Sequence, residues 1–224
     1  MMKKTKGVVE MERKKLIGFY DYTVVLTYLG MVFAFAGIIK VLHGAYISSL
    51  ICLMAAGVCD MFDGAVASTK VRDKYEKHFG IQIDSLCDLI SFGVLPALFV
   101  YEISEENKFV GILTCGYVLC GLIRLAYFNV QEFERQQLTD EKREYYLGIP
   151  ITTSAIVLPF AYLMYDKFDL IGTYIFIVAL VLLGGGFVAG IEIKKPRIIG
   201  KIAMIAVGLA EMMGVILLFG ARML

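Results

Sequence analysis

Four aspartates lie at helical spacings in one stretch of the sequence, at or inside the ends of two apolar segments. They are Asp60, Asp63, Asp84 and Asp88, and small residues accompany them at Gly64, Ala67 and Gly80. Because a helix turns about 100° per residue, spacings of three and four residues place each pair on one helix face. Ionised carboxylates are costly in apolar surroundings unless positive charge neutralises them. Oxygen ligands suit hard cations such as Mg²⁺ or Mn²⁺, so the pattern predicts a divalent-metal site between two helices.

The same stretch resembles the signature of the CDP-alcohol phosphotransferase family, D-x2-D-G-x2-A-R-x8-G-x3-D-x3-D. Seven positions match across 29 residues. Two features differ, because Ser68 stands where the family has Arg, and eleven residues separate Ser68 from Gly80. The insertion is basic, and its candidates to replace the missing Arg are Lys70, Arg72, Lys74 and Lys77.

The resemblance implies an integral membrane enzyme that moves a phosphatidyl or similar group from a CDP-linked donor to an alcohol. It implies two bound divalent ions, Mg²⁺ or Mn²⁺, with Asp60, Asp63 and Asp84 as ligands. Asp88 would be the general base and would share in metal binding. Gly64 and Ala67 would face the cytidine diphosphate, and Gly80 is assigned to substrate binding with them. A homodimer is also expected from the family.

The run from Asp84 to Ala97 resembles a narrower group, the phosphatidylserine synthases, whose pattern is close to D-S-L-x-D-x-x-x-F-G-x-x-P-A. Arg124 and Asn129 match that group's R-L-A-R-F-N, while Tyr127 replaces its second Arg. The resemblance implies CDP-diacylglycerol and L-serine as substrates. Arg124 has two interpretations, a structural counter-ion or a fork for a phosphate or carboxylate, and both Arg124 and Asn129 are candidate substrate-binding residues.

Composition indicates the elements that must position this site. With 58% hydrophobic residues, 19% charged residues and a mean hydropathy of +0.72, the chain is not a soluble globule. Seven apolar segments have about the length that a bilayer requires. They are residues 22–41, 45–66, 80–101, 108–130, 149–165, 170–191 and 198–220. We therefore predict an all-α, polytopic membrane helical bundle, which the family resemblance divides into a six-helix core and an extra C-terminal span.

The charges predict the orientation of the chain. Residues 1–21 form a basic, amphipathic arm, within which residues 8–20 are expected to form an interfacial helix, and residues 22–224 form the membrane-embedded catalytic domain. With the N-terminus inside, 17 Lys and Arg fall in inside segments and 4 at outside ends. The positive-inside rule then places the aspartates at the cytoplasmic face of the cell membrane. Membrane lipids are the expected surroundings, and no nucleic-acid partner is expected.

Other functions fit parts of the pattern. The same chemistry could use another acceptor, such as glycerol 3-phosphate or inositol phosphate, or an ether-lipid donor. Intramembrane carboxylates also serve cation and proton transporters, but a transport pathway would spread polar groups across the bilayer, whereas these gather at one face. A catalytically inactive scaffold would be consistent with Ser68, although all four aspartates are present.

Overall fold

A computed structural model describes residues 4–5, 8–9, 17–138, 145–167, 172–194 and 198–223. The chain is mainly helical. Its α-helices are α1 (Val25–Leu42), α2 (Tyr46–Ala67), α3 (Lys74–Asp88), α4 (Leu95–Ile103), α5 (Lys108–Leu138), α6 (Ser154–Lys167), α7 (Tyr174–Val188) and α8 (Ile198–Met223). A π-helical segment (Leu89–Val94) joins α3 to α4, and a 3-10 turn (Ile151–Thr153) precedes α6. Two antiparallel strand pairs are present, β1 (Lys4–Thr5) with β2 (Val8–Val9) and β3 (Tyr145–Leu147) with β4 (Glu192–Lys194).

The helices confirm the predicted polytopic membrane protein, and each of the seven predicted spans contains one. Within the described ranges, four helical stretches are long and apolar enough to cross a bilayer: α1, α2, the continuous stretch Lys74–Ile103, and α5. Tyr174–Val188 and Ala203–Leu218 are shorter apolar helices. The third span begins six residues earlier than predicted because Asp73 and Glu76 form a capping box at the start of α3.

Small residues bring α1 and α2 close together. Gly30, Ala34 and Gly37 form a buried stripe on α1, and an added Cβ at Gly37 would lie 3.1 Å from Cys52 Cβ and 2.9 Å from Leu95 Cδ2. Such stripes let helix backbones approach in membranes, where packing rather than water exclusion drives association. Nearer the start of α1, an added Cβ at Gly30 would lie 3.4 Å from Cys59 Cβ, so the stripe also packs against the part of α2 that precedes its two aspartates.

Two expectations about flanking segments are wrong where the structure describes them. Val8–Val9 is a strand paired with Lys4–Thr5, which suits β-branched residues. Gly18 has φ +117°, outside helical backbone. The predicted interfacial helix is therefore not found at these positions, and residues 10–16 lie outside the described part of the chain. The predicted fourth span ended at residue 130, whereas residues 131–138 continue α5. Within this extension, Glu132 accepts hydrogen bonds from Arg135 (3.0 Å) and Gln136 (2.9 Å).

The β3–β4 pair joins the segments flanking α6 and α7. Tyr145 pairs with Lys194, and Leu147 with Glu192. Beyond the strands, the Gly148 N–H donates to Ile191 O (2.8 Å) and the Ile149 N–H donates to Gly186 O (2.9 Å). The core of the bundle contains Phe99, Tyr162 and Phe176. The Phe99 ring makes edge contacts with the other two, with centroids 6.0 Å apart for Tyr162 and 5.8 Å for Phe176.

Candidate active site

The carboxylates predicted to share one site do converge. Oxygens of Asp60, on α2, and of Asp84 and Asp88, on α3, all lie within 4.8 Å of one another. The Asp63 carboxyl lies against that of Asp84 and accepts a hydrogen bond from Thr27 Oγ1 on α1 (3.2 Å). Asp63 is the most enclosed of these, with 9% of its surface exposed. The predicted helix faces therefore meet.

The donor set fits a divalent metal. Four carboxyl groups this close repel one another when ionised, and an apolar membrane environment makes that repulsion more costly. A hard cation removes the repulsion and takes oxygen ligands of this kind. The cluster is thus compatible with divalent metal binding by Asp60, Asp63, Asp84 and Asp88.

The π-helical segment begins directly after Asp88 and has its own polar support. Leu95 N–H bonds to Ile90 O, five residues back. Pro96 has no N–H to offer the carbonyl of Phe92, four residues before it. That carbonyl instead accepts hydrogen bonds from Tyr117 Oη (2.6 Å) and Ser154 Oγ (3.2 Å). Neighbouring helices therefore satisfy the carbonyl that proline frees, as expected for a proline inside a span.

A cleft of about 130 Å³ opens beside the carboxylates. Its lining joins α1, α2 and α3, and comprises Thr23, Val24, Thr27, Asp63, Gly64, Ala67, Arg72, Lys77, Gly80, Ile81 and Asp84. The three small residues predicted to face a substrate all line it. An added Cβ at Gly64 would have no neighbour within 4 Å, whereas one at Gly80 would lie 2.9 Å from Arg72 Nη1. Glycine at position 80 thus leaves room for the Arg72 guanidinium.

The structure distinguishes among the basic residues of the insertion. Arg72 and Lys77 line the cleft. Lys70 points elsewhere and forms ion pairs with Asp21 (2.6 Å) and Glu76 (3.3 Å). The hydrogen bond from Lys70, together with those from Thr23, lowers the pKa of Asp21 to about 2. Two cations therefore reach the cleft although Ser68 replaces the family's arginine.

Asn129 and Arg124 both connect helices. Asn129 Oδ1 accepts from Ser85 Oγ (2.8 Å) and its Nδ2 donates to Gln82 Oε1 (3.3 Å), which fixes α5 against the helix that carries Asp84. Arg124 Nη1 donates to Leu147 O (2.6 Å), with a longer contact to Phe187 O (3.5 Å). Neither residue is among those lining the cleft. Their direct roles in substrate binding remain predictions.

Sequence reasoning missed several residues of the site. Thr23 and Thr27 line the cleft from α1 and the segment before it, and Tyr117 and Ser154 support the π-helical segment. Polar residues near the N-terminal end of the first span were the available signal for the two threonines. Pro96 signals a freed carbonyl, but its partners come from distant helices.

The fold and the site together define a class of protein. It is a helical membrane protein in which neighbouring helices present four carboxylates beside a cleft lined by small residues. A family model described as CDP-alcohol phosphatidyltransferase matches residues 22–185. The chain belongs to this family. The match covers the first five predicted spans and most of the sixth, and leaves α8 outside it.

Similar proteins have names that specify serine products or acceptors. Archaetidylserine synthase of Methanothermobacter thermautotrophicus is 31% identical over 192 residues, 85% of this chain and 76% of that protein. CDP-diacylglycerol–serine O-phosphatidyltransferase of Saccharomyces cerevisiae is 40% identical over 109 residues, 47% of this chain and 38% of that protein. The Bacillus subtilis protein of the same name is 29% identical over 120 residues, 51% of this chain and 62% of that protein. The aligned region therefore spans less than half of the yeast relative and about three quarters of the archaeal one.

Proposed function

We propose that the protein transfers a phosphatidyl group from CDP-diacylglycerol to the hydroxyl of L-serine, giving phosphatidylserine and CMP. The carboxylate cluster of Asp60, Asp84 and Asp88 carries the proposal, because a diphosphate can be cleaved there with metal help. The Asp84-to-Ala97 run and the names of the relatives support serine as acceptor. Both names specify serine. They differ in the lipid, which is diacylglycerol in one name and archaetidyl in the other.

The reaction forms a bond from the serine oxygen to the lipid-side phosphorus and breaks the bond from that phosphorus to the CMP oxygen. Asp88 takes the hydroxyl proton, because a neutral alcohol is a weak nucleophile. Asp60, Asp63 and Asp84, with a share from Asp88, would hold two Mg²⁺ or Mn²⁺ ions. When bound, these ions neutralise charge on the phosphates and the departing CMP. The Arg72 guanidinium, which lines the cleft, offers a positive charge to the phosphates of the donor.

The site is proposed to face the cytoplasm from the cell membrane, supported by the 17 to 4 distribution of Lys and Arg. This side gives access to CDP-linked lipid and to serine. A homodimer is proposed from family membership alone.

The direct test is CMP release by the purified protein in detergent with CDP-diacylglycerol and Mg²⁺ or Mn²⁺. L-serine, glycerol 3-phosphate and inositol phosphate are supplied in separate reactions. Serine-dependent release is expected. Release with a phosphorylated acceptor instead would favour the second candidate, for which Arg72 and Lys77 in the cleft are the supporting observation. No release with any acceptor would contradict the proposal.

A matched pair of variants separates the base from the metal ligands. Asp88→Asn should abolish CMP release but keep part of the metal-dependent binding of CDP-diacylglycerol, whereas Asp60→Asn should lose both. Donor binding is measured without serine, so that turnover does not enter. Equal loss of binding in the two variants would contradict a separate role for Asp88.

A further inference from the structure

The segment before α1, residues 17–24, is fastened across the end of α2 and the start of α3, and we term it the strap. Tyr22 Oη and Thr69 Oγ1 are hydrogen-bonded (3.1 Å). The ring centroids of Phe19 and Phe79 lie 5.4 Å apart. Asp21 Oδ2 accepts a hydrogen bond from Lys70 Nζ (2.6 Å). Thr23 and Val24 of the strap line the cleft, so the strap forms part of the cleft wall.

Lys70 connects the strap to the first turn of α3. Its Nζ also donates to Glu76 Oε1 (3.3 Å). Glu76 is held in turn by the capping box, in which its N–H donates to Asp73 Oδ1 (2.7 Å). Lys70 thus joins a carboxylate of the strap to a carboxylate fixed on the cleft-lining helix.

Asp21 also sets the orientation of Thr23. The Thr23 N–H donates to Asp21 Oδ1 (2.9 Å), and the Thr23 hydroxyl donates to the same oxygen. Thr23 is 3% exposed and lines the cleft. Because an ionised carboxylate only accepts hydrogen bonds, the hydroxyl proton is committed to Asp21. Thr23 Oγ1 can then offer a ligand only its lone pairs.

We propose that Asp21 and Lys70 are positioning residues that hold Thr23 in the cleft wall as a hydrogen-bond acceptor for an N–H or O–H group of the nucleotide part of the donor. Cytosine carries an amino group and ribose carries hydroxyls, so the nucleotide has suitable partners. Phosphate oxygens are acceptors and would be repelled by Thr23, while Arg72 and Lys77 in the same cleft suit them. The proposal rests on the proposed function.

The test compares Asp21→Ala, Thr23→Val and Lys70→Met in steady-state assays at fixed detergent. Each variant should raise KM for CDP-diacylglycerol by roughly three- to tenfold, the equivalent of one lost hydrogen bond. KM for serine and kcat should stay within about twofold, because the proposed hydrogen bond is made to the donor and not to the acceptor. Lys108→Met is the control, since Lys108 is an exposed lysine at the start of α5 and is not among the residues lining the cleft, and it should leave all three constants unchanged.

A charge reversal separates attachment of the strap from orientation of Thr23. Asp21→Lys combined with Lys70→Asp restores an ion pair but leaves Thr23 without its carboxylate. Thermal stability should therefore recover relative to Lys70→Asp alone, which faces the carboxylates of both Asp21 and Glu76, while the KM for the donor stays raised. Recovery of both would overturn the role of Thr23.

Other results would also overturn the proposal. These are an unchanged donor KM in Thr23→Val, a rise confined to the KM for serine, and a fall in kcat alone. Binding of CDP-diacylglycerol without any acceptor provides a second readout, and Thr23→Val should weaken it by a similar factor. If the wild type binds the donor but no acceptor supports CMP release, the proposed function fails while the role of Thr23 is still tested.

Discussion

The Phe92 carbonyl gives a sharp test of how the π-helical segment next to Asp88 is stabilised. Pro96 cannot donate to it, and the donors are the Tyr117 hydroxyl at 2.6 Å and the Ser154 hydroxyl at 3.2 Å. Ser154 also donates to Ile151 O (3.0 Å), so its hydroxyl is shared. Tyr117→Phe and Ser154→Ala each remove one donor and leave the other.

Each single variant should lower the free energy of unfolding by about 0.5–1.5 kcal/mol, with Ser154→Ala at the lower end. The double variant leaves a buried carbonyl without either side-chain donor, which costs about 1–3 kcal/mol in addition. The double variant should therefore lose more than the two single variants together, with a coupling energy of about 1 kcal/mol or more.

The assay is unfolding in mixed detergent and SDS micelles, followed by far-UV circular dichroism, with CMP release measured under native conditions. Pro96→Ala added to the double variant supplies an N–H near the carbonyl and should recover part of the loss. Strictly additive losses, or a double variant no less stable than Tyr117→Phe, would refute the assignment of Phe92 O as a shared acceptor.

Three further predictions concern the junction and the strap. Gly148→Ala should lower the free energy of unfolding by about 2–4 kcal/mol, because the φ of Gly148 is +69° and the new Cβ would lie 2.7 Å from Phe187 O. Gly44→Ala is the control, at the same φ but with nothing within 4 Å of the new Cβ, and should lower it by about 1 kcal/mol. Equal shifts in Tm for the two variants would contradict the steric overlap at Gly148. Arg124→Ala should lower Tm by removing charged hydrogen bonds worth about 1.5–3 kcal/mol, and an unchanged Tm with a raised substrate KM would show a ligand role instead. The pKa of Asp21 is about 2 against an ordinary value of 3.8, so the stability that its carboxylate adds is complete above about pH 5 and is lost as pH falls towards 2. The difference in Tm between wild type and Asp21→Asn should shrink over that interval and not above it.

The sequence was sufficient for the features that depend on local periodicity. Hydropathy predicted the membrane spans because a bilayer requires long apolar runs. The spacing of the aspartates predicted their shared faces because helix geometry fixes which residues lie together. The convergence of Asp60 with Asp84 and Asp88 followed once α2 and α3 were neighbours.

Contacts between distant segments were not predictable in this way. Asp21 and Lys70 are 49 residues apart, and no pattern in the sequence links them. Arg124 in an apolar span indicated a polar partner, but carbonyls of β3 and α7 leave no signature in side-chain types. The strap and the junction around β3 and β4 therefore required the tertiary structure.

The π-helical segment also determines which changes of chain length this span can accept. One extra residue within a helix offsets the two flanking parts by about 100°, so α3 directs Asp84 and Asp88 at α2 while α4 presents an independent face to the core. Deleting one residue from Leu89–Val94 would restore a regular helix and keep the span in the membrane. It would also rotate both aspartates by about that angle relative to the packed face of α4. The segment should therefore accept apolar substitutions at its half-buried positions, Leu89, Ile90 and Val94, but not a single-residue deletion.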